Sequence, residues 1–470
     1  MKKIIYIPII IGGLFLNSCQ HELDTFNENP NSPTQVTSPK TLLTGGEIGT
    51  INNSTGNLTR QISLLTQHTN GNLFQSLDFT NYFLTELDNE TDWSNIYKTG
   101  VNLNQIIKQF GDKYPYYSGM AKILLALNMG YATDVWGDIP FSEAFQGVNN
   151  FSPKYDSQQN VIAQIQSYLD SAITDLSKPE SANLGLPAKD DIFYGGDTGK
   201  WTKLAYAIKA RYALRLTQRE GSSAAALKAL NYLKNSFTSK EDNLIAKFDG
   251  GNNQNLWFGF NNQRKGYMSM GKYFVDLLKS NSDPRLRYFA FNTDGKDNPS
   301  GIYLGSAPED ADTGASPIGK FAVGINTGSG SPSDGDPTQS LIIFSYSEIK
   351  FIEAEAQFRL GNTVGAQAAL KAAVSASLID VTGADNPVFA TTASASVTLQ
   401  NIITQKYSSL FTTMEPYNDW RRTGFPVLTA NQNSQSKKIP LRLITPKAER
   451  TLNNNAVVVS DVSIPVWWDN

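Results

Sequence analysis

Residues 349–374 read IKFIEAEAQFRLGNTVGAQAALKAAV, and this stretch decides the fold class. Ile349, Ile352, Ala356 and Leu360 recur at spacings of three and four, which places them on one face of a helix. Gly361-Asn362 stops that helix, and a second begins near Val364. Ala366, Ala369 and Ala373 are small enough to let the two helices approach closely. The stretch therefore reads as a tetratricopeptide-like helical hairpin, although the full repeat signature is absent. Glu353 and Glu355 lie two apart on the helix and point to different faces, which suits surface or capping charges.

The same period recurs upstream. Ile162, Ile165, Leu169, Ile173 and Leu176 form one stripe behind Asp156, a candidate N-cap with Gln159 three residues on. From Trp201 to Leu216, the residues Leu204, Ile208, Tyr212 and Leu216 share a face, and Arg211 and Arg215 share the neighbouring one. Between the helical blocks, Asp249 to Gln339 is dense in Gly, Asn, Asp, Ser and Pro. A connection of that length on a rigid scaffold usually carries function. The expected architecture is all-α dominated: helical hairpins, a loop-rich ligand-binding side and little β structure. A single body is expected over residues 41–470, with a long loop insertion near 249–339.

Hydrophobic residues at 40% and charged residues at 18% describe a folded globular chain, and a net charge of −3 argues against a nucleic-acid partner. At the start, Lys2 and Lys3 precede an apolar run from Ile4 to Leu16, the pattern of a secretory leader over residues 1–18. The run falls short of the roughly 20 apolar residues of a membrane span. Leu16-Asn17-Ser18-Cys19 has the form of a bacterial lipobox, in which Cys19 becomes the lipidated first residue. Cys19 is the sole cysteine, so no internal disulfide is available. Residues 19–40, rich in Asn, Pro, Ser and Thr, read as a lipidated tether.

Several ordered segments carry a family resemblance. They are Asn29-Pro30-Asn31-Ser32-Pro33-Thr34; the run from Asp134 to Ala144 containing Trp136-Gly137-Asp138-Ile139-Pro140; Asn281-Ser282-Asp283-Pro284-Arg285-Leu286; and Gln405-Lys406-Tyr407. Trp420-Arg421-Arg422-Thr423-Gly424, Ile439-Pro440-Leu441-Arg442 and the closing Trp467-Trp468-Asp469 complete the set. Together they resemble the SusD/RagB nutrient-binding outer-membrane lipoproteins, especially the SusD-like subgroup. That resemblance implies four tetratricopeptide-like helix pairs on one side of the body and ligand loops on another. It also implies a lipid-anchored position on the outer membrane, facing the cell exterior, where Glu22 and Asp24 resemble the family's surface-export signals. The implied partner is a SusC-like TonB-dependent transporter, over which such a lipoprotein acts as a lid holding glycan or peptide ligands.

Sugars present hydroxyls and flat C–H faces, so a glycan site needs exposed rings beside amides and charged groups. Trp257, Phe260, Asn262, Arg264 and Tyr267 form such a cluster, in a segment whose alternation also fits a half-buried strand. Asn72, Phe74 and Tyr82 form a second candidate. Trp93, Tyr97, Trp136 and the Trp420–Arg422 segment are assigned to packing and internal ion pairs. The loop Asp294-Gly295-Lys296-Asp297-Asn298 with Glu309, Asp310 and Asp312 departs from EF-hand spacing, and a solvated acidic loop is preferred to calcium. No other metal or cofactor is expected, and no catalytic motif is present. The sequence therefore reads as a non-enzymatic capture protein, most simply for an oligosaccharide. A surface glycoside hydrolase and a peptide-binding or helical-repeat adaptor are the alternatives.

Overall fold

The computed structural model describes residues 38–293, 301–312, 314–319 and 336–470. The leader, the lipobox with Cys19, the Asn29–Thr34 segment and the loop at Asp294–Asn298 lie outside the described residues. Lys40–Asn470 forms one compact unit. In chain order its first helices are α1 (Lys40–Thr55), α2 (Asn57–Leu65), α3 (Phe74–Thr80), α4 (Glu90–Gln105), α5 (Pro115–Trp136), α6 (Gln158–Leu176), α7 (Thr198–Arg215) and α8 (Ser222–Leu233). There follow α9 (Leu256–Gln263), α10 (Lys272–Ser280), α11 (Tyr346–Arg359), α12 (Thr363–Thr382), α13 (Leu399–Ser409) and α14 (Glu415–Thr423). Among the described residues, paired strand is confined to two antiparallel ribbons, Thr69–Gly71 with Met268–Met270 and Leu244–Ala246 with Leu341–Phe344.

Four helix pairs pack in succession: α1 with α4, α5 with α6, α7 with α8, and α11 with α12. Neighbouring pairs touch through α4–α5, α6–α7 and α8–α11, so each pair buries its apolar face against the next. The helix class expected from the sequence is what the chain adopts. The α11–α12 hairpin turns where the sequence places it. Gly361 takes φ +76°, and the Asn362 side chain accepts the Gly365 N–H at 3.0 Å to start α12. Phe351, Ala354, Ala369, Leu370, Ala373 and Val374 then form a compact core between the two helices.

Helix α5 begins at Pro115, pre-organised for a first turn, and is apolar nearly all round. It ends at Gly137 (φ +82°), where a Cβ would lie 2.9 Å from the Arg442 guanidinium. The start of α6 corrects the expected cap. Ser157, not Asp156, accepts the Asn160 N–H at 3.3 Å. Asp156 instead holds the following turn of the Trp136–Ala144 segment, accepting from Phe141 N and Ser142 N at 3.0 and 2.7 Å. The 249–339 stretch is likewise not loop throughout, since α9, α10 and the Met268–Met270 strand interrupt it.

A network of buried charges joins α5, α7, α11, α13 and α14. Arg211 bonds Glu348 through two nitrogens at 2.7 Å each, and Arg215 bridges Asp134 and Glu415 at 3.1 and 2.8 Å. Arg422 grips Glu355 through two nitrogens and also Asp419, Arg359 adds a third bond to Glu355 at 2.7 Å, and Lys406 pairs with Asp419 at 2.8 Å. Burial alone would raise the Glu355 carboxyl, but Arg422 and Arg359 overcome it and hold the group down to about 2. Glu355 is 0% exposed, which corrects the expectation of a surface or capping charge. The Arg421–Arg422 pair serves the fold, as the sequence suggested.

Glu47 on α1 is a different case. It is buried, its Oε1 lacks a donor, and it faces Asp191, whose carboxylate already accepts from Phe193 N, Tyr194 N, Gly196 N and the Trp201 indole. Burial first, then the Asp191 charge, push the Glu47 carboxyl up to about 10. Because this pKa is raised on folding, the contribution of Glu47 is fully present below about 4.5 and is lost as pH rises toward about 10. Glu47→Gln, which supplies a neutral donor, should therefore raise the melting temperature at pH 8 and flatten its fall between pH 5 and 9. Arg422→Ala should cost about 3–5 kcal/mol in urea unfolding by stranding Glu355, whereas Arg422→Met with Glu355→Leu should cost less.

Candidate functional site

The Thr69–Gly71/Met268–Met270 ribbon decides where the aromatic candidates meet. Thr69 faces Met270 and Gly71 faces Met268 in the ladder. The ladder is extended by the Asn72 N–H donating to the Tyr267 carbonyl at 2.8 Å. Two sequence segments 197 positions apart thus become neighbours. Phe74 enters α3 with φ +50°, a conformation that costs energy for a bulky residue, and its ring is 63% exposed. It stacks on Tyr267 with centroids 4.9 Å apart and planes 27° from parallel. Tyr267 in turn meets Phe260 edge-on at 6.4 Å.

Phe260 stands in α9, whose start is set by the Asn255 side chain accepting Trp257 N and Phe258 N at 2.9 and 3.0 Å. One face of this helix enters the core and the other opens on a cleft of about 770 Å³, within the range of ligand sites. Phe260 comes from α9 and Arg264 from the residue just past its end; Asn57 and Arg60 come from α2, and Asp92 and Asn95 from α4. A second lobe of about 300 Å³ shares Asn57, Arg60, Phe260 and Arg264 and reaches Gln61 and Gln75. The guanidinium carbons of Arg60 and Arg264 lie 4.6 and 5.4 Å from the Phe260 centroid.

Arg60 donates from one terminal nitrogen to the Leu256 carbonyl at 3.2 Å, while its Nε is buried without a partner. Burial pushes this guanidinium down to about 10; Asp92 opposes the fall and Arg264 adds to it. The Asp92 Oδ2 accepts from Asn57 and Asn89 at 2.9 and 3.1 Å. Burial nevertheless raises its pKa, against the pull of those amides and of Arg60.

Of the residues proposed from sequence, Phe260, Arg264, Tyr267 and Phe74 are brought together, and Asn262 is exposed on the same helix. Two others, Trp257 and Asn72, are corrected, and Tyr82 stays half-buried. Trp257 is 0% exposed and packs edge-on against Phe411 at 5.6 Å, because its segment is a helix with one face inward rather than a half-buried strand. Asn72 is buried, and its side chain is consumed by Ser269 and Ser306 at 3.0 Å each. The Tyr82 hydroxyl accepts the Asn431 N–H at 3.1 Å and burial pushes it up to about 12, so this residue ties two loops together. Trp93 and Tyr97 serve packing as expected: Trp93 meets Trp136 edge-on at 5.1 Å, and the Tyr97 hydroxyl donates to the Pro140 carbonyl at 2.8 Å. Arg60 was missed. It sits on the polar side of an ordinary amphipathic helix with Leu58, Ile62 and Leu65 inward, and nothing local distinguishes it from a solvated arginine.

A body of stacked helix pairs with an aromatic-edged cleft defines a helical binding protein. Residues 30–446 match the SusD-like family described as starch-binding and associating with the outer membrane, and the chain belongs to that family. Members of this family bind nutrients and are not enzymes. A SusD/RagB family protein from Bacteroides thetaiotaomicron is 26% identical, with TM-score 0.76 over 92% of this chain and 99% of that one. A chitin-binding protein is also 26% identical, with TM-score 0.76 over 92% of this chain and 100% of that one. A chitin-binding SusD homologue from Flavobacterium johnsoniae shares the fold at 21% identity and TM-score 0.75, over 91% and 98% of the two chains. No curated protein matches the sequence.

The division between core and site is directly measurable. Trp257→Ala should cost about 3–5 kcal/mol in chemical unfolding. Phe74→Ala, at an exposed ring, should change stability by no more than about 0.5 kcal/mol.

Proposed function

We propose that the protein captures an oligosaccharide at the cell surface, in the cleft edged by Phe74, Tyr267 and Phe260, and delivers it without turnover to a SusC-like TonB-dependent transporter. The observation that carries this reading is the Phe74–Tyr267 stack, open to solvent at Phe74 and joined through Phe260 to a cleft rich in carboxamides. An aromatic face covers the C–H face of a sugar, and Asn57, Gln61, Gln75 and Asn95 offer both donors and acceptors to hydroxyls. Covering about 100 Å² of ring contributes roughly 2–3 kcal/mol, which suits a ligand that must later be released. The likeness to a chitin-binding protein at 26% identity supports a sugar over a peptide.

Anchoring through a lipid on Cys19 would keep the protein beside its transporter. A hinge of the whole body over the barrel mouth would then admit and deliver ligand.

Calorimetry of the purified protein against panels of oligosaccharides and peptides, with product analysis of the same samples, tests the proposal. Binding of an oligosaccharide without product is expected, weakened at least tenfold by Phe260→Ala and by Phe74→Ala. Product formation would overturn the non-enzyme reading, and peptide binding weakened by the same substitutions would replace the sugar.

A further inference from the structure

We infer that the ligand of this cleft carries an anionic group, a sugar carboxylate or sulfate, seated between Arg60 and Arg264 over the ring of Phe260. The inference deepens the capture reading and rests on it. Its starting point is a pair of cations with no carboxylate in contact. Among the described residues neither Arg60 nor Arg264 has a carboxylate within 4.0 Å. In contrast, the buried Arg211, Arg215, Arg285 and Arg422 each hold a carboxylate, and the buried Arg421, which holds none, gives its terminal nitrogens to two backbone carbonyls and the Asn418 amide. An uncompensated cation taken out of water is costly, and a second cation beside it increases the cost.

Asp92 offsets part of this cost at Arg60 from a distance, but no acidic group nearby pairs with either guanidinium. The Asp92 Oδ2 is engaged by Asn57 and Asn89. Asp88 turns one oxygen to Thr85, accepting from its N–H and its hydroxyl. The Arg60 Nε remains buried and unpartnered, so a donor is already desolvated and free of internal bonds. Both guanidiniums lie within 5.4 Å of the same ring centroid, which places them on one small patch of the cleft. A planar carboxylate or a sulfate accepts charge-assisted bonds from such groups, and the exposed Phe74–Tyr267 stack next to them covers the sugar face. A neutral sugar would leave both guanidiniums without an anion in contact.

The test compares a galacturonate oligomer, a sulfated oligosaccharide and a neutral galactose oligomer of equal length, each titrated into the purified protein at low and high salt. One acidic probe should bind at least tenfold more tightly than the neutral one, and that advantage should shrink as salt rises. Which acidic probe prevails identifies carboxylate or sulfate as the group read. Arg264→Gln, at an exposed position that leaves the core intact, should reduce the acidic-over-neutral ratio at least tenfold, and Arg264→Lys should restore part of it. Arg60→Gln should act in the same direction. Equal or tighter binding of the neutral oligomer, weakened by Phe260→Ala, would overturn the anionic inference while leaving sugar capture standing. Binding of no oligosaccharide, or of a peptide carboxylate in their place, would overturn both.

Discussion

The constraint on which the rest of the structure depends is charge balance around α14. Glu415, Asp419 and Arg422 leave this helix into a region closed to water, where each finds partners on α7, α11 and α13. Such a network adds little stability over a well-packed apolar core, but a displaced helix would strand a buried charge at a cost of several kcal/mol. It therefore fixes the register of helices from widely separated parts of the chain. Asp134 shows the link to local sequence. It is the first residue of the Asp-Val-Trp-Gly segment, accepts from Arg215, Tyr212 and Asn418, and lends its carbonyl to Arg421. Segments that look like separate signatures in the sequence are thus two halves of one electrostatic joint.

With the helix pairs held in register, the other side of the molecule can be irregular. The Thr69–Gly71/Met268–Met270 ribbon is short, yet it aligns the strained Phe74 with Tyr267, and the capped helix α9 supplies Phe260 and, at its C-terminal end, Arg264. The cleft is therefore built from side chains on secondary structure as much as from loops, which limits the entropy lost when a ligand binds. Its two arginines gather charge with no carboxylate in contact, the opposite of the pairing of Arg211, Arg215 and Arg422 around α14.

Much of the scaffold was legible because helical periodicity is local. Ile349, Ile352 and Ala356 announce their helix, and Gly361-Asn362 its end, through backbone preferences that neighbouring residues alone determine. The errors have a common cause. Glu355 looks like a surface charge unless its partner Arg422, 67 positions away, is known. Trp257 and Asn72 look like ligand contacts until the packing of α9 and the ribbon assigns one to Phe411 and the other to Ser269 and Ser306. Asp156 was read as a cap because it stands one residue before the true one, and a single-residue offset is below what spacing can discriminate.

By itself, then, the sequence determined the helix-pair class, the family, and the two aromatic segments from which the cleft is built. These follow from short-range spacing and from ordered motifs that keep their meaning without coordinates. Only the tertiary structure decided that those two segments are adjacent, that Phe74 faces solvent while Trp257 does not, and that Arg60 stands unpaired beside Arg264. Burial and charge compensation are properties of three-dimensional neighbours, and the partners that settle them lie too far apart in the chain for any local pattern to join.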